Sequence, residues 1–236
     1  MKSDKWKTKS TKITHLKEFL KLDFSIVKKI ASVGISPFIM QATESAIFIV
    51  FNSGLQRYGG DLYVASMTIM QSLMQLCFCP MQGFTTGVQP IISYNFGAKN
   101  FDRVKSVIRK MVIITFSFTV IAFFVMIKFP TGFAKMFAND EMLINLVVHL
   151  IPVYFGALWI FGVQMSAQST FLGLGKAKTS LFIASLRKII LLIPLALTLP
   201  HFMGVEGIFW AEPIASFTSA VTSGVLLFVC YKKLNN

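Results

Sequence analysis

The stretch VIRKMVIITFSFTVIAFFVMIK, Val107–Lys128, decides the fold class of this chain. Between Lys110 and Lys128 it contains no charged residue, and most of its side chains are apolar. A helix that crosses the hydrocarbon core of a bilayer needs about 20 mainly apolar residues. The stretch therefore predicts a membrane-spanning helix.

The rest of the chain repeats this pattern. Of the 236 residues, 54% are hydrophobic and 14% are charged, and the mean hydropathy is +0.65, which is high for a soluble domain. We predict an all-α integral membrane protein with six transmembrane helices. Segments of sufficient length cover about 33–56, 63–88, 107–128, 142–165, 179–199 and 207–230.

The net charge of +13 is distributed by loop. Apart from Arg187 and Lys188, eighteen lysines and arginines fall in the N-terminal tail, the 99–110 segment, the 175–178 turn and the C-terminus, and three fall in the intervening loops. This alternation follows the positive-inside rule. It predicts a multi-pass protein of the cell (cytoplasmic) membrane with both termini cytoplasmic, and it accounts for the basicity without nucleic acid.

The N-terminal tail is strongly basic and is expected to contain no cleavable signal. Its apolar residues recur at the spacing of an interfacial amphipathic helix: Leu16, Leu20, Phe24 and Val27. For residues 1–12 a solvated basic linker is the alternative. The predicted organisation is a basic cytoplasmic tail with an interfacial helix, a six-helix lobe and a short cytoplasmic tail, at 1–30, 31–231 and 232–236.

The sequence shows no pattern of enzyme chemistry. It has no Ser/His/Asp set, no His or Cys cluster with metal-ligand spacing and no phosphate-binding glycine loop. Several predicted spans contain proline or glycine, and broken membrane helices are tolerated in packed bundles and around cavities. We therefore expect a transporter rather than an enzyme or a passive anchor.

Four glutamines share one face of the second predicted span. At 100° per residue they fall within about 40° of one another, and Phe78 and Met67 lie beside them. A single glutamine in a membrane helix usually connects helices, whereas four in a stripe favour the wall of a wetted cavity. The candidate cavity residues of this span are Gln71, Gln75, Phe78, Gln82 and Gln89.

Glu44 is the only charged residue in the first predicted span, and Met40 and Gln41, which lie near it on the helix surface, are further cavity-lining candidates. A carboxylate near the bilayer centre costs about 2.5 kcal/mol or more. A proton or a cation would remove that cost, so Glu44 is a candidate for binding a coupling ion, H⁺ or Na⁺, and no other cofactor is expected. The alternative is a structural acid paired with Arg187 or Lys188.

Other polar residues of the spans are weaker candidates. Glu212 shares a face with three serines, a pattern typical of close helix packing, and Arg187 is a charged candidate that has the alternative of reaching the inner surface. Gln164 and Gln168 form an i, i+4 pair for which cavity lining and packing are both open.

Three separated motifs resemble the multidrug and toxic compound extrusion (MATE) family, over about residues 31–231. They are GVQPIISYNFGAKNFDRVK (87–105), FLGLGKAKTSLFIASLRKIILLIPL (171–195) and GVEGIFWAEPIA (204–215). The resemblance implies the C-terminal six-helix half of a twelve-helix transporter, which exports organic cations in exchange for protons or sodium ions. It also implies a partner, either an N-terminal-lobe chain or a second copy of this chain, because alternating access needs two lobes.

The resemblance aligns Glu44 with the seventh-span acid that sodium-coupled members use. The aspartate that those members carry on the tenth span has no counterpart in FGVQMSAQST (161–170). Two alternatives to export stay open: an inert truncated or split-gene fragment that acts at most as a membrane interaction subunit, and a component of a lipid-linked oligosaccharide flippase.

Overall fold

The computed structural model describes residues 24–234, except the side chains of residues 25–41. The described part consists of helices, turns and short connections, without a strand. Its elements are α1 (Phe24–Gly59), α2 (Asp61–Gly97), α3 (Phe101–Lys128), α4 (Pro130–Lys135), α5 (Glu141–Tyr154), α6 (Leu158–Gly173), α7 (Ala177–Ser185), a π-helical segment (Leu186–Leu192), α8 (Ile193–Thr198), α9 (Pro200–Met203) and α10 (Glu206–Lys233).

The contacts divide the chain into two units after Glu44. The first unit ends within α1, and the second, Ser45–Asn236, contains the rest of α1 and all later helices. From here on, the lobe means this second unit, which begins at Ser45, whereas the six-helix lobe expected from the sequence begins at residue 31. The predicted interfacial helix of the tail falls mainly on residues outside the described part of the chain.

Four stretches of the described chain are long and apolar enough to cross a membrane: Asp61–Gly97, Phe101–Lys128, Ala177–Met203 and Glu206–Lys233. They confirm the second, third, fifth and sixth predicted spans as apolar helices. The fourth predicted span, over 142–165, corresponds to a pair of helices, α5 and α6, which are together long and apolar enough to cross a membrane and are bent by 56°. The first predicted span lies in α1 and stays a prediction, as does the total of six.

The bend between α5 and α6 follows from two residues. Pro152 lies inside α5 and has no amide hydrogen to continue the helical ladder. Gly156 follows in the turn, where its amide donates to the Val153 carbonyl at 3.2 Å. Helix resumes at Leu158 and continues to Gly173, which gives this part of the lobe a broken span.

The fifth span also departs from a regular α-helix. Between α7 and α8 the chain forms a π-helical segment, in which the amide of Ile193 donates to the carbonyl of Lys188. Pro194 follows directly and cannot donate a backbone hydrogen bond. π-Helical turns are rare and occur often at functional sites, and this one carries Arg187.

The basic loops meet at one end of the lobe. Ser93 Oγ donates to the Gly173 carbonyl at 2.9 Å, and Lys176 Nζ donates to Cys230 Sγ at 3.2 Å. The ends of α2, α6 and α10 therefore lie together at what we call the basic end. At the opposite, far end, the end of α1 contacts α9. The 99–110 segment, the 175–178 turn and the C-terminal part of α10 thus share one end, and the predicted topology of the termini and the side of the membrane that this end faces stay predictions.

The buried interior of the lobe has two apolar clusters with polar residues between them. One cluster contains Leu150, Phe155 and Phe209, toward the far end, and the other contains Ile108 and Leu227, toward the basic end. Buried polar residues lie between the clusters along α2, α3, α6 and α10, among them Thr85, Thr115, Thr119, Gln164, Ser166, Ser216, Ser219 and Ser223.

Helices α3 and α6 approach closely at Gly162. Thr115 Oγ1 lies 2.6 Å from Ser166 Oγ and 3.1 Å from the Gly162 carbonyl oxygen, to which it donates. A Cβ atom on Gly162 would lie 2.5 Å from the Thr115 carbonyl oxygen. Small residues at such a crossing let two membrane helices hydrogen-bond side by side.

We expect Gly162→Ala to destabilise the lobe by about 1–3 kcal/mol or more, because the added methyl group meets backbone that cannot move aside cheaply. The measurement is thermal unfolding of the purified chain in detergent. Gly87→Ala is the matched control, since a Cβ there meets nothing within 4 Å. Equal melting temperatures for Gly162→Ala and the control would contradict the close approach.

Candidate functional site

The centre of the lobe contains a buried ion pair. Arg187 Nη2, on the π-helical segment, donates to Glu212 Oε1 on α10. Arg187 Nε also donates to Ser216 Oγ at 3.3 Å, and Ser216 Oγ donates to the same Glu212 oxygen at 3.0 Å. The three side chains form a closed group that is buried throughout.

This group arises from the local structure of both elements. Glu212 and Ser216 are four residues apart and so share one face of α10, and the π-helical segment carries Arg187 on its buried side. Removing two charges from water is costly, and their attraction offsets the cost only with good geometry and further hydrogen bonds. The serine supplies one of those bonds.

An aromatic stack connects the ion pair to α2. The guanidinium carbon of Arg187 lies 4.6 Å from the ring centroid of Phe161 and 5.9 Å from that of Phe78. The two rings are stacked, with centroids 4.6 Å apart and an interplanar angle of 19°. The cation thus lies against ring faces, a favourable arrangement in a desolvated site, and Phe78 is the predicted cavity residue that takes part.

The predicted glutamine stripe of α2 lies at the margin of that helix's buried face, because Met67 and Thr85, about 40° from Gln71 around the helix, are buried. Gln75 and Gln82 are exposed, and Gln71 and Gln89 are half-buried. We call these four residues the glutamine face. A Cβ on Gly83 would meet nothing within 4 Å, so the backbone is accessible beside them. The amides therefore do not serve as buried connections inside the lobe, which weighs against the interhelical alternative.

The remaining predicted residues have different environments. Glu44 is exposed and belongs to the unit before the lobe, and the side chains of Met40 and Gln41 lie outside the described residues, so the predicted cation role stays a prediction. Gln164 is buried inside the lobe and Gln168 is half-buried. Neither belongs to the glutamine face.

Arg187 and Glu212, the secondary charged candidates, form the one group that the structure assembles fully. The alternative in which Arg187 reaches the membrane surface is wrong, because its side chain is buried against Glu212. Pairing of Lys188 with Glu44 stays open as the structural alternative for that acid. Phe161 was not predicted as a site residue. The pattern that could have indicated it is an aromatic side chain one helical turn before the candidate Gln164.

The sequence model described as MatE matches residues 37–198, which is more than half of the chain. The chain belongs to the MatE family. Proteins of this family are transporters and not enzymes.

Curated relatives of this MatE chain include multidrug export proteins of staphylococci. The multidrug export protein MepA of Staphylococcus aureus (strain N315) is 24% identical over 212 residues, which cover 89% of this chain and 46% of that protein. MepA of Staphylococcus haemolyticus (strain JCSC1435) is 23% identical over 211 residues, 89% of this chain and 45% of that protein. The chain thus spans about half the length of the curated relatives it matches.

Solved structures show the same relationship in the fold. An inward-facing MATE multidrug resistance transporter matches with a TM-score of 0.84 at 18% identity, over 91% of this chain and 50% of the other. A second transporter, from Pyrococcus furiosus, matches with a TM-score of 0.79 at 19% identity, over 94% of this chain and 50% of that protein. These likenesses establish the fold: this MatE chain has the architecture of half a transporter.

Proposed function

We propose that the chain forms one lobe of a MATE-type exporter of organic cations in the cytoplasmic membrane. The glutamine face is the observation that carries this proposal. Two exposed and two half-buried amides along one side of an apolar helix would be unfavourable against lipid. They suit instead the wall of an aqueous cavity through which a solute passes.

The chemistry of this face fits a cationic, partly apolar solute. Glutamine carbonyl oxygens accept hydrogen bonds and orient their dipoles toward positive charge, and Phe78 offers an aromatic ring nearby. Among the described residues, Glu212 is the only buried carboxylate, and it is paired with Arg187. The glutamine face itself carries no charge, so it would bind a cationic solute weakly enough to release it.

Coupling to an ion gradient is assigned to Glu44. A membrane carboxylate gains stability when it takes up a proton or a cation, so its occupancy can bias one conformation of the transporter over another. The 161–170 stretch supplies no second acid for a sodium site. A proton is therefore the favoured coupling ion.

Transport by this lobe requires a second one. Alternating access is a movement of two bundles about a site between them. The partner is a second six-helix lobe, contributed by the same longer protein, by a separate chain or by another copy in the same orientation. The likeness to half of longer relatives supports this part of the proposal.

Replacing the two exposed amides in a Gln75→Leu/Gln82→Leu variant should lower export of a fluorescent organic cation about tenfold in cells that express the assembled transporter. Such a loss corresponds to about 1.4 kcal/mol of interaction. Stability should change little, because both side chains are exposed. The control is Gln56→Leu, an exposed glutamine at the end of α1. Export unchanged in the double variant would remove the glutamine face as the transport surface.

One further candidate is a lobe without transport of its own that acts as a membrane interaction subunit. The DNA on both sides of the coding region separates the candidates. An adjacent frame that encodes six more apolar segments supports the transporter. A frame-shifted remnant supports the inert lobe.

A further inference from the structure

A groove runs along the outside of the lobe between α3 and α10, with α6 as its floor. The ring of Trp159 on α6 contacts the rings of Phe116 on α3 and Phe217 on α10, with centroids 6.4 and 6.5 Å apart. Val163 lies one turn further along the same face of α6, and its Cγ1 atom is 3.4 Å from the position of a Cβ on Gly224. Both Val163 and Gly224 are half-buried, so this strip of α6 is partly uncovered. We call it the α3–α10 groove.

The walls of the groove are apolar. On α10, Phe217, Val221 and Phe228 are exposed in the described part of the chain, and they fall within about 40° of one another around the helix. On α3, Phe116 is exposed and shares a face with the half-buried Val112. Such a surface is unfavourable against water and suits the acyl chain of a lipid.

Basic side chains from both walls meet at the end of the groove that lies at the basic end of the lobe. Lys105 Nζ on α3 lies 5.3 Å from the ring centroid of Tyr231 on α10, and Arg109 follows Lys105 by one helical turn on the same face. Lys232 Nζ lies 4.6 Å from the ring centroid of Phe228. The apolar groove therefore ends between cations contributed by two helices.

The charge around this mouth is strongly unbalanced. The 99–110 segment, the 175–178 turn and residues 232–233 contain nine lysines and arginines, and Asp102, in the first turn of α3, is the one acid that the described chain has at this end. Like charges held close together repel one another, and an anion between them relieves that repulsion. Lysine and arginine also form strong, charge-assisted hydrogen bonds with phosphate oxygens.

The groove has the length of one membrane leaflet. Phe217 and Tyr231 are fourteen positions apart on α10, which corresponds to a rise of about 21 Å. A bilayer with its headgroup regions is about 40–45 Å thick, so one leaflet has about the same depth as the groove. A phosphate at the basic mouth would place the attached acyl chain along the apolar walls, with its end near Trp159. Free phosphate would use the mouth alone.

We propose that the α3–α10 groove binds an anionic phospholipid of the leaflet at the basic end. Lys105, Arg109 and Lys232 hold its phosphate, and an acyl chain lies between Phe116 and the exposed stripe of α10. Basic pockets between membrane helices hold anionic headgroups in this way. The bound lipid joins α3 to α10 across α6 and stabilises the lobe. The site depends neither on the transported solute nor on Glu44.

Thermal unfolding of the full chain in detergent, with lipid added, tests the site. Phosphatidylglycerol should raise the melting temperature more than phosphatidylcholine with the same acyl chains, and inorganic phosphate at the same concentration should not reproduce the rise. In Lys105→Gln/Arg109→Gln, the phosphatidylglycerol concentration that gives half of the rise should increase about tenfold or more. Each variant is compared with its own melting temperature without lipid. The matched control, Lys128→Gln/Lys135→Gln, removes the same charge at the far end and should respond as the wild type does.

Filling the groove tests the acyl chain separately from the phosphate. A Cβ on Gly224 meets only Val163, at an ordinary contact distance, so Gly224→Leu adds a side chain to the floor and leaves the basic mouth intact. The phosphatidylglycerol response should weaken about tenfold, and an unchanged response overturns the proposal. Equal responses of the wild type to phosphatidylglycerol and phosphatidylcholine, or to inorganic phosphate, also overturn it. So does an equal loss in the far-end control.

Discussion

Replacing Glu212 by leucine should destabilise the lobe by about 3–5 kcal/mol, the usual cost of leaving one partner of a buried ion pair uncompensated. Arg187 would keep Ser216 and the ring of Phe161 as neighbours, and would lose the carboxylate with which it is paired. The measurement is thermal or denaturant unfolding of the purified chain in detergent. A correspondingly low yield of folded protein is expected in membranes.

The double variant Arg187→Met/Glu212→Leu separates charge from packing. Apolar replacement of both partners often leaves stability equal to the wild type or higher, so the double variant should unfold well above Glu212→Leu alone. Glu206→Gln is the control for an exposed pair. The Glu206 carboxylate lies 3.4 Å from His149 Nε2 at the far end, and both side chains are largely exposed. An exposed ion pair contributes little to the free energy of unfolding. A double variant as unstable as the single one would contradict the pairing.

Glu44→Gln should abolish export by the assembled transporter, with at least a tenfold loss, while membrane insertion stays intact. Glutamine has a similar size and cannot exchange a proton, so the coupling step loses its titrating group while the shape of α1 is kept. Export of a fluorescent organic cation and the membrane level of the chain are measured in the same cells. Glu206→Gln, which changes an exposed acid at the far end, is the control.

The structural alternative for Glu44 predicts a different pair of results. If the acid serves mainly to neutralise Lys188, Glu44→Gln lowers the melting temperature and the amount of folded chain. Export per folded molecule then stays close to that of the wild type. Measuring stability and export on the same preparation therefore separates the two roles, and unchanged export per molecule would end the coupling role.

The helical membrane architecture could be predicted from the sequence because apolar length is the dominant signal in a bilayer. The ends of the helices were less predictable. The second span was expected to end near residue 88, whereas α2 continues to Gly97. Pro90 removes one backbone donor only, and the turn after it gains a hydrogen bond to another helix, from Ser93 Oγ to the Gly173 carbonyl on α6. Tertiary contact outweighs the local breaker there.

The site was predictable only in part. The glutamine stripe follows from helical periodicity, and the structure leaves those residues exposed or half-buried as an open face requires. The pairing of Arg187 with Glu212 could not be predicted from the sequence. The two residues lie at unequal distances in sequence from the loop that joins their helices, so they are not expected at the same level of the lobe. The π-helical segment and the long arginine side chain bring the charges together. Neither feature has a periodic signature in the sequence.

The central claim is that this lobe works against a second lobe to move organic cations. Its most direct test is transport into proteoliposomes under an imposed proton gradient, with the chain alone, with a candidate second lobe, and with that lobe plus Glu44→Gln. We expect gradient-dependent movement of a cationic dye only when two lobes are present and Glu44 is intact. Movement that persists without a gradient or with Glu44→Gln, or no movement with any second lobe, would contradict it.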